Sequence, residues 1–337
     1  MSIPRCIVAL SVAVSALVGA GSVLGAPAAG AAVASQPSAG CSSPAAVDNG
    51  ATVAFSAAGD TGSYIAEAPG GAGHGHPLPL VVNLHGYSET AALQVDITEL
   101  GTYGDAHGFI TVAPQVNEAV QHWVTSPGSS DQKFLIALIN HLTASLCVDR
   151  HRVYVAGYSN GAFMASALAC SDAGTIAAVA TVAGLEATPA CHPSRRVPVI
   201  AFHGTADPFV PYTGGVGPAA KELPAVSGGG TVGSNLKKAA NQGIQQSDQP
   251  VPVQTARWAA RNGCSKTPKT STVTSDVTLI AYHCPGNASV ELYRENGDGH
   301  IWAGSQFMTS IASVVGKTTF SISDNQLIWA FFEAHPL

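Results

Sequence analysis

The chain is poor in charge. Only 11% of its residues are Asp, Glu, Lys or Arg, and its 15 Lys and Arg are outnumbered by 21 Asp and Glu, for a formal charge of −6. A nucleic-acid-binding protein needs a basic face against the phosphates, so this balance argues against that class of partner. Metal-ligand spacing is lacking as well: there is no C-x-x-C and no H-E-x-x-H, and His74-Gly75-His76 is too short a tract for a metal site. No internal repeat and no interdomain linker interrupts the chain. What is present is apolar content of 46%, punctuated by 36 Gly and 21 Pro, which is the balance of a compact fold with a large core. We expect a single α/β domain.

The N-terminus has the pattern of an export leader. Arg5 supplies a positive start, Ile7 to Leu24 is an uncharged run, and Ala32-Val33-Ala34 fits a cleavage site. The rival, a retained membrane anchor, is disfavoured because the run is diluted by Ala, Gly and Ser and no charged flank follows it. Removal of residues 1–34 takes away one cation and leaves Cys6 outside the folded part. Residues 35–50 then form an N-terminal segment tethered by Cys41, and residues 51–337 the main domain. Ser38-Ala39-Gly40-Cys41 lacks the leucine of a lipoprotein box and lies far from the apolar run, so Cys41 is not expected to carry lipid.

Six cysteines remain, an even number in an exported chain, and they read as disulfides. Cys170 and Cys191 flank one strand-and-loop segment and Cys264 and Cys284 flank one hairpin. That leaves Cys41 with Cys147.

From residue 51 onward short β-branched runs alternate with helical stretches. Ala51–Phe55 and Tyr64–Ala68 read as a strand pair around Gly59-Asp60-Thr61-Gly62. Leu80–His85, Phe109–Ala113, Val153–Gly157, Ala178–Val182 and Val199–His203 are nearly continuous apolar runs, as required of strands covered on both faces. Asp131–Leu146 and Asn160–Cys170 are helix candidates between them. This order predicts a doubly wound, mostly parallel sheet, in which functional residues gather beyond the C-terminal strand ends. Residues 213–250, rich in Gly, Ala and Gln, are expected to be a surface excursion. Gly228 to Gly233 within it matches G-x-G-x-x-G, but no strand precedes it, which argues against a dinucleotide site. Pro252 opens a helix that Gly263 closes, and Ser323 with Gln326 makes a capping box for the last helix.

Val153 to Gly157 runs straight into Gly157-Tyr158-Ser159-Asn160-Gly161, a G-x-S-x-G followed by a helical stretch. In such an elbow the serine sits on a strained turn and the glycines avoid collisions with the neighbouring strand and helix. On this fold an acid and then a histidine must follow. Asp207 follows the strand Val197–His203, and His300 follows Ser289–Arg294. Ser159, Asp207 and His300 thus each occupy the loop after a strand, the arrangement that acyl transfer through a serine requires. His85 and His122 precede Ser159 in the chain, and His203 lies in the acid's own strand; His122 could line the pocket. Backbone N–H groups at Asn160 and at Tyr87, in His85-Gly86-Tyr87, are candidate donors to an oxyanion, with Gly86 expected to permit an unusual backbone shape.

The chain resembles the secreted polyhydroxybutyrate-depolymerase-like esterases, which merge with the feruloyl and acetylxylan esterases of carbohydrate esterase family one. The residues that carry the resemblance are Asn83 to Tyr87, Cys147 to Tyr154, Gly157 to Gly161, Phe202 to Pro208, Trp258 with Asn262-Gly263-Cys264, and Gly299 to Trp302. It implies an α/β-hydrolase fold, with Ser159, Asp207 and His300 as nucleophile, acid and base, and Trp123 and Trp302 bordering the acyl pocket. It implies no cofactor. The substrates it implies are small or oligomeric esters, whether polyester or plant cell-wall ester, met outside the cell. Two other readings share the sequence: an acyltransferase of the mycolyltransferase kind, which would need water excluded from the acyl-serine, and an inactive hydrolase fold acting as a surface binding protein.

Overall fold

The computed structural model describes residues 33–70, 76–226, 229–241 and 249–337. The leader expected over residues 1–34 lies outside the described residues save for Val33 and Ala34, as do His74, Gly75 and Gly228.

Ten strands are formed among the described residues: β1 Thr52–Ala57, β2 Asp60–Glu67, β3 Leu78–Leu84, β4 Ile110–Val116, β5 Val148–Tyr158, β6 Ala178–Val182, β7 Val199–Gly204, β8 Lys269–Thr272, β9 Val277–Tyr282 and β10 Val290–Glu295. They join one sheet in the order β1-β2-β4-β3-β5-β6-β7-β10-β9-β8. The strands from β4 to β10 in that order run parallel, and an antiparallel pair closes each edge. The helices are α1 Ala91–Thr98, α2 Leu100–His107, α3 Ser130–Ser145, α4 Asn160–Ser171, α5 Pro218–Glu222, α6 Val232–Asn241, α7 Val251–Arg261, α8 Gln306–Ser310, α9 Ala312–Val315 and α10 Asp324–Ala334.

Alternation along the strands sorts the core into two layers. Val153 and Val155 of β5 pack with Phe134 and Leu138 of α3, Met164 and Leu168 of α4 and Trp258 of α7. Tyr154 and Ala156, pointing the other way, meet Ile97 of α1, Leu100 of α2 and Trp329 and Phe332 of α10. Tyr154 stacks on Phe332 with ring centroids 4.5 Å apart, and Phe109 stacks on Trp329 at 4.2 Å. Burying each large apolar side chain from water contributes about 1.5–3 kcal/mol. Both faces of the central strands are therefore apolar, which is why their sequences show no alternation.

Two local features differ from the sequence reading. The β1–β2 turn is tighter than expected: Ala58 and Gly59 alone form it, at φ 55° and 92°, while Asp60, Thr61 and Gly62 already belong to β2. A two-residue turn with positive φ at both positions follows the twist of the strands it joins. The excursion is also not devoid of structure. It contains α5, opened by Pro218, and α6, with an isolated bridge between Pro224 and Thr231. The start of α6 is held by Ser234 N–H donating to Thr231 Oγ1 at 3.3 Å.

The three disulfides are Cys41–Cys147, Cys170–Cys191 and Cys264–Cys284. The first binds the N-terminal segment to the start of β5, where Ser38 N–H also donates to Val148 O at 2.9 Å and Gln36 N–H to Asp149 Oδ1 at 2.8 Å. Among the described residues no helix is long and apolar enough to cross a membrane.

Candidate active site

The C-terminal end of β5 turns sharply into α4, and Ser159 is the pivot. Its φ is 55° and ψ −118°, a backbone conformation costly for a residue with a side chain. The glycines on either side explain how the turn fits. A Cβ on Gly157 would lie 2.2 Å from Gly161 O, and one on Gly161 would lie 2.2 Å from Leu84 O of β3. Ser159 N–H donates to Val182 O at the end of β6, 2.8 Å away, which ties the strained residue to its neighbour strand.

Asp207 and His300 are brought together from β7 and β10, which pair in parallel up to Glu295 opposite Gly204. The loops that follow interlock because glycines allow backbone contact. A Cβ on Gly204 would sit 2.1 Å from Gly299 O, and one on Gly299 would sit 1.9 Å from Val315 O. Ala206 N–H donates to Asp298 O at 2.9 Å and His300 N–H to Val315 O at 2.7 Å. Within this frame His300 Nδ1 donates to Asp207 Oδ2 at 2.7 Å, and both residues are buried. Burial alone would raise the Asp207 pKa, yet the His300 and His203 imidazoles beside it hold the carboxyl well below the usual range.

Tyr158, the residue before Ser159, reaches the His300 loop. The Tyr158 hydroxyl donates to His300 O at 2.7 Å, and the two rings lie 4.9 Å apart. Phe209 closes on the imidazole at 5.0 Å from the acid loop. No hydrogen bond joins Ser159 Oγ to His300 among those of the described residues.

Asn160 begins α4, and the turn carrying Tyr87 follows β3. The Asn160 side chain has a task of its own: Oδ1 accepts from Trp123 N–H at 2.6 Å and Nδ2 donates to Trp123 O at 3.2 Å. Gly86 does not take a left-handed conformation, contrary to expectation; Ser88 does, at φ 60°. A Cβ at 86 would lie 2.7 Å from Glu89 Oε2, the end of a side chain that would have to shift, and that atom accepts from Gly86 N–H at 2.7 Å. Burial lifts the Glu89 pKa to about 7 against this hydrogen bond. His85, fully buried, is pushed down to about 4 by burial and so stays neutral.

The two tryptophans are not open pocket walls. Trp123 is 2% exposed and Trp302 1% exposed. Each indole N–H finds an acceptor, buried His85 O at 3.0 Å for Trp123 and half-buried Asn325 Oδ1 at 2.9 Å for Trp302. Trp123 therefore ties to the turn after β3, and Trp302 fixes the histidine loop to α10. His122 is half-buried, with its ring 6.1 Å from Tyr87. A cavity of about 230 Å³ lies beside the serine turn, lined by Phe163, Leu185, Val210, Pro211 and Val251 among others. Among the described residues no cluster of three or more His, Cys, Asp or Glu is arranged to hold a metal.

Residues 62–244 match the model of a protein family described as esterase PHB depolymerase, more than half of the chain. The chain belongs to that family. The family segment contains Ser159 and Asp207, while His300 lies beyond it. The chain is similar to feruloyl esterase B of Piromyces equi, 30% identical over 188 residues, which are 53% of this chain and 31% of that protein. It is also similar to a bifunctional acetylxylan esterase/xylanase of Neocallimastix patriciarum, 29% identical over 134 residues, 40% of this chain and 20% of that protein. The chain thus spans less than a third of the length of either curated relative. Among solved structures, the acetyl xylan esterase from Aspergillus awamori aligns with a TM-score of 0.53 over 78% of this chain and 98% of that one, at 14% identity. That likeness establishes the fold, the α/β-hydrolase sheet with helices on both faces.

Proposed function

We propose that this member of the family is an exported serine esterase that cleaves carboxylic esters through an acyl-serine at Ser159. The observation that supports the reading is a serine at φ 55° on a glycine-flanked turn, whose neighbour Tyr158 donates to His300 O, with His300 hydrogen-bonded to buried Asp207 at 2.7 Å. His300 Nε2 takes the hydroxyl proton as Ser159 Oγ attacks the ester carbonyl. The negative oxygen that forms is held by the N–H groups of Tyr87 and Asn160. Protonated His300 then gives its proton to the leaving alcohol, and water repeats the sequence to free the acid. Asp207 keeps the hydrogen on Nδ1 and stabilises the imidazolium without taking its proton.

The names of the relatives support feruloyl or acetyl esters as substrates, and that of the family supports hydroxyalkanoate esters. Export is supported by the three disulfides, which persist in oxidising surroundings. In this reading residues 1–34 are a leader, 35–50 a tethered segment and 51–337 the catalytic domain.

The test is a panel of soluble aryl esters, feruloyl and acetyl sugars and short hydroxyalkanoate oligomers, with and without an acceptor alcohol. Ser159→Ala is expected to abolish turnover and fluorophosphonate labelling, and Asp207→Asn to lower kcat by about 10⁴. Undiminished hydrolysis by Ser159→Ala would end the reading. Transfer to the alcohol in preference to water would favour an acyltransferase.

A further inference from the structure

Asp207 is held from more directions than its bond to His300 requires. Its Oδ1 accepts from Phe209 N–H at 2.8 Å and from Val210 N–H at 2.9 Å. Its Oδ2 accepts from His300 Nδ1, and a second imidazole lies against the same oxygen: His203 Nε2 is 3.4 Å from Oδ2 and 2.8 Å from Val210 O. A carbonyl oxygen only accepts, so His203 Nε2 carries a hydrogen. That hydrogen lies in the fork between Val210 O and the carboxylate.

His203 is 1% exposed and sits next to last in β7, with Arg294 of β10 as its partner across the sheet. The Tyr212 ring stands edge-on to it at 6.0 Å. The titratable groups around it are therefore Asp207 and Tyr212 from the following loop, Arg294 from β10, and His300 across Oδ2.

We propose that His203 is a positioning residue for the triad aspartate: its Nε2–H steadies Oδ2 and pins the Val210 turn, so that one fixed oxygen faces His300 Nδ1. The proposal rests on the serine-esterase reading. A carboxylate oxygen shared between two donors attracts each less strongly than one donor alone. Without His203, Asp207 pulls harder on protonated His300, which then gives up its proton less readily. The acid limb of the pH–rate profile should move to higher pH. A side chain that merely filled space would lower the rate by the same factor at every pH.

The experiment measures kcat/KM on a soluble aryl ester from about pH 5 to pH 9 for wild type, His203→Gln and His203→Leu, with melting curves as a check on folding. The Gln amide retains a donor and is expected to keep the acid limb where wild type has it. His203→Leu is expected to lower kcat/KM about tenfold, the value of one hydrogen bond, and to raise the acid limb by about half a pH unit. If the Leu variant does not fold, His203→Asn, whose amide is too short to reach Oδ2, carries the same expectation. A limb that stays at the wild-type position in the variants lacking the donor overturns the proposal. Failure of the esterase reading is distinguishable, because wild type itself would then escape labelling at Ser159.

Discussion

At the scale of single residues, the serine turn is possible only because two neighbours have no side chain. Gly161→Ala would place a methyl group against Leu84 O, which belongs to a strand that cannot retreat without disturbing the sheet. We expect a loss of about 2–4 kcal/mol in urea unfolding, with reduced turnover in the protein that folds. Gly174→Ala, where a Cβ meets nothing within 4 Å, is the control and should stay within about 0.5 kcal/mol of wild type. Equal destabilisation by both would refute the argument from close approach. These glycines were legible in the sequence because the G-x-S-x-G spacing encodes their purpose. The unusual backbone expected at Gly86 is absent, and the Glu89 carboxylate that lies beside it gives no motif in the sequence. Trp123 and Trp302 are both buried, a packing that their neighbours in the sequence do not reveal.

At the scale of elements, the turn between β3 and α1 holds two groups whose pKa values burial shifts, His85 and Glu89. Glu89 is folded with its pKa raised from an ordinary 4.5 to about 7, so the native state favours its neutral form. Its contribution to stability is complete below about pH 4.5, shrinks as pH rises, and has gone above about pH 7. Glu89→Gln, which stays neutral, should therefore flatten the decline in Tm between those values. Parallel Tm curves for the two proteins would count against it. The strands were readable because continuous apolar runs need covering on both sides. Helices α1 and α2 were not: Glu99 at φ 50° breaks them into two short pieces, and Gly101 and Gly104 dilute the apolar face of the second. The hairpin between Cys264 and Cys284 was readable, but the bounds of β8 were not, since Lys269 to Thr272 is exposed along its whole length and is placed by pairing with β9.

At the scale of the whole molecule, the disulfides differ in what they constrain. Cys41–Cys147 spans 106 residues and Cys264–Cys284 only 20. In the chain-entropy account a loop of about 100 residues is worth about 4.7 kcal/mol and one of about 20 residues little more than 3. The double variant Cys41→Ala/Cys147→Ala should accordingly unfold at lower denaturant than Cys264→Ala/Cys284→Ala, read as midpoints in guanidinium. The reverse order would show that native contacts around the short loop outweigh chain entropy.

Both extremities of the described fold reach one residue near the start of β5: His151 Nδ1 bonds Ala34 O at 2.9 Å, and His151 O accepts from Leu337 N–H at 2.8 Å. Ser159 lies eight residues further along that strand, roughly 25 Å away. A molecule immobilised on a bead or fused to a carrier near Ala34 or Leu337 would thus keep the Ser159 end of the sheet turned away from its support.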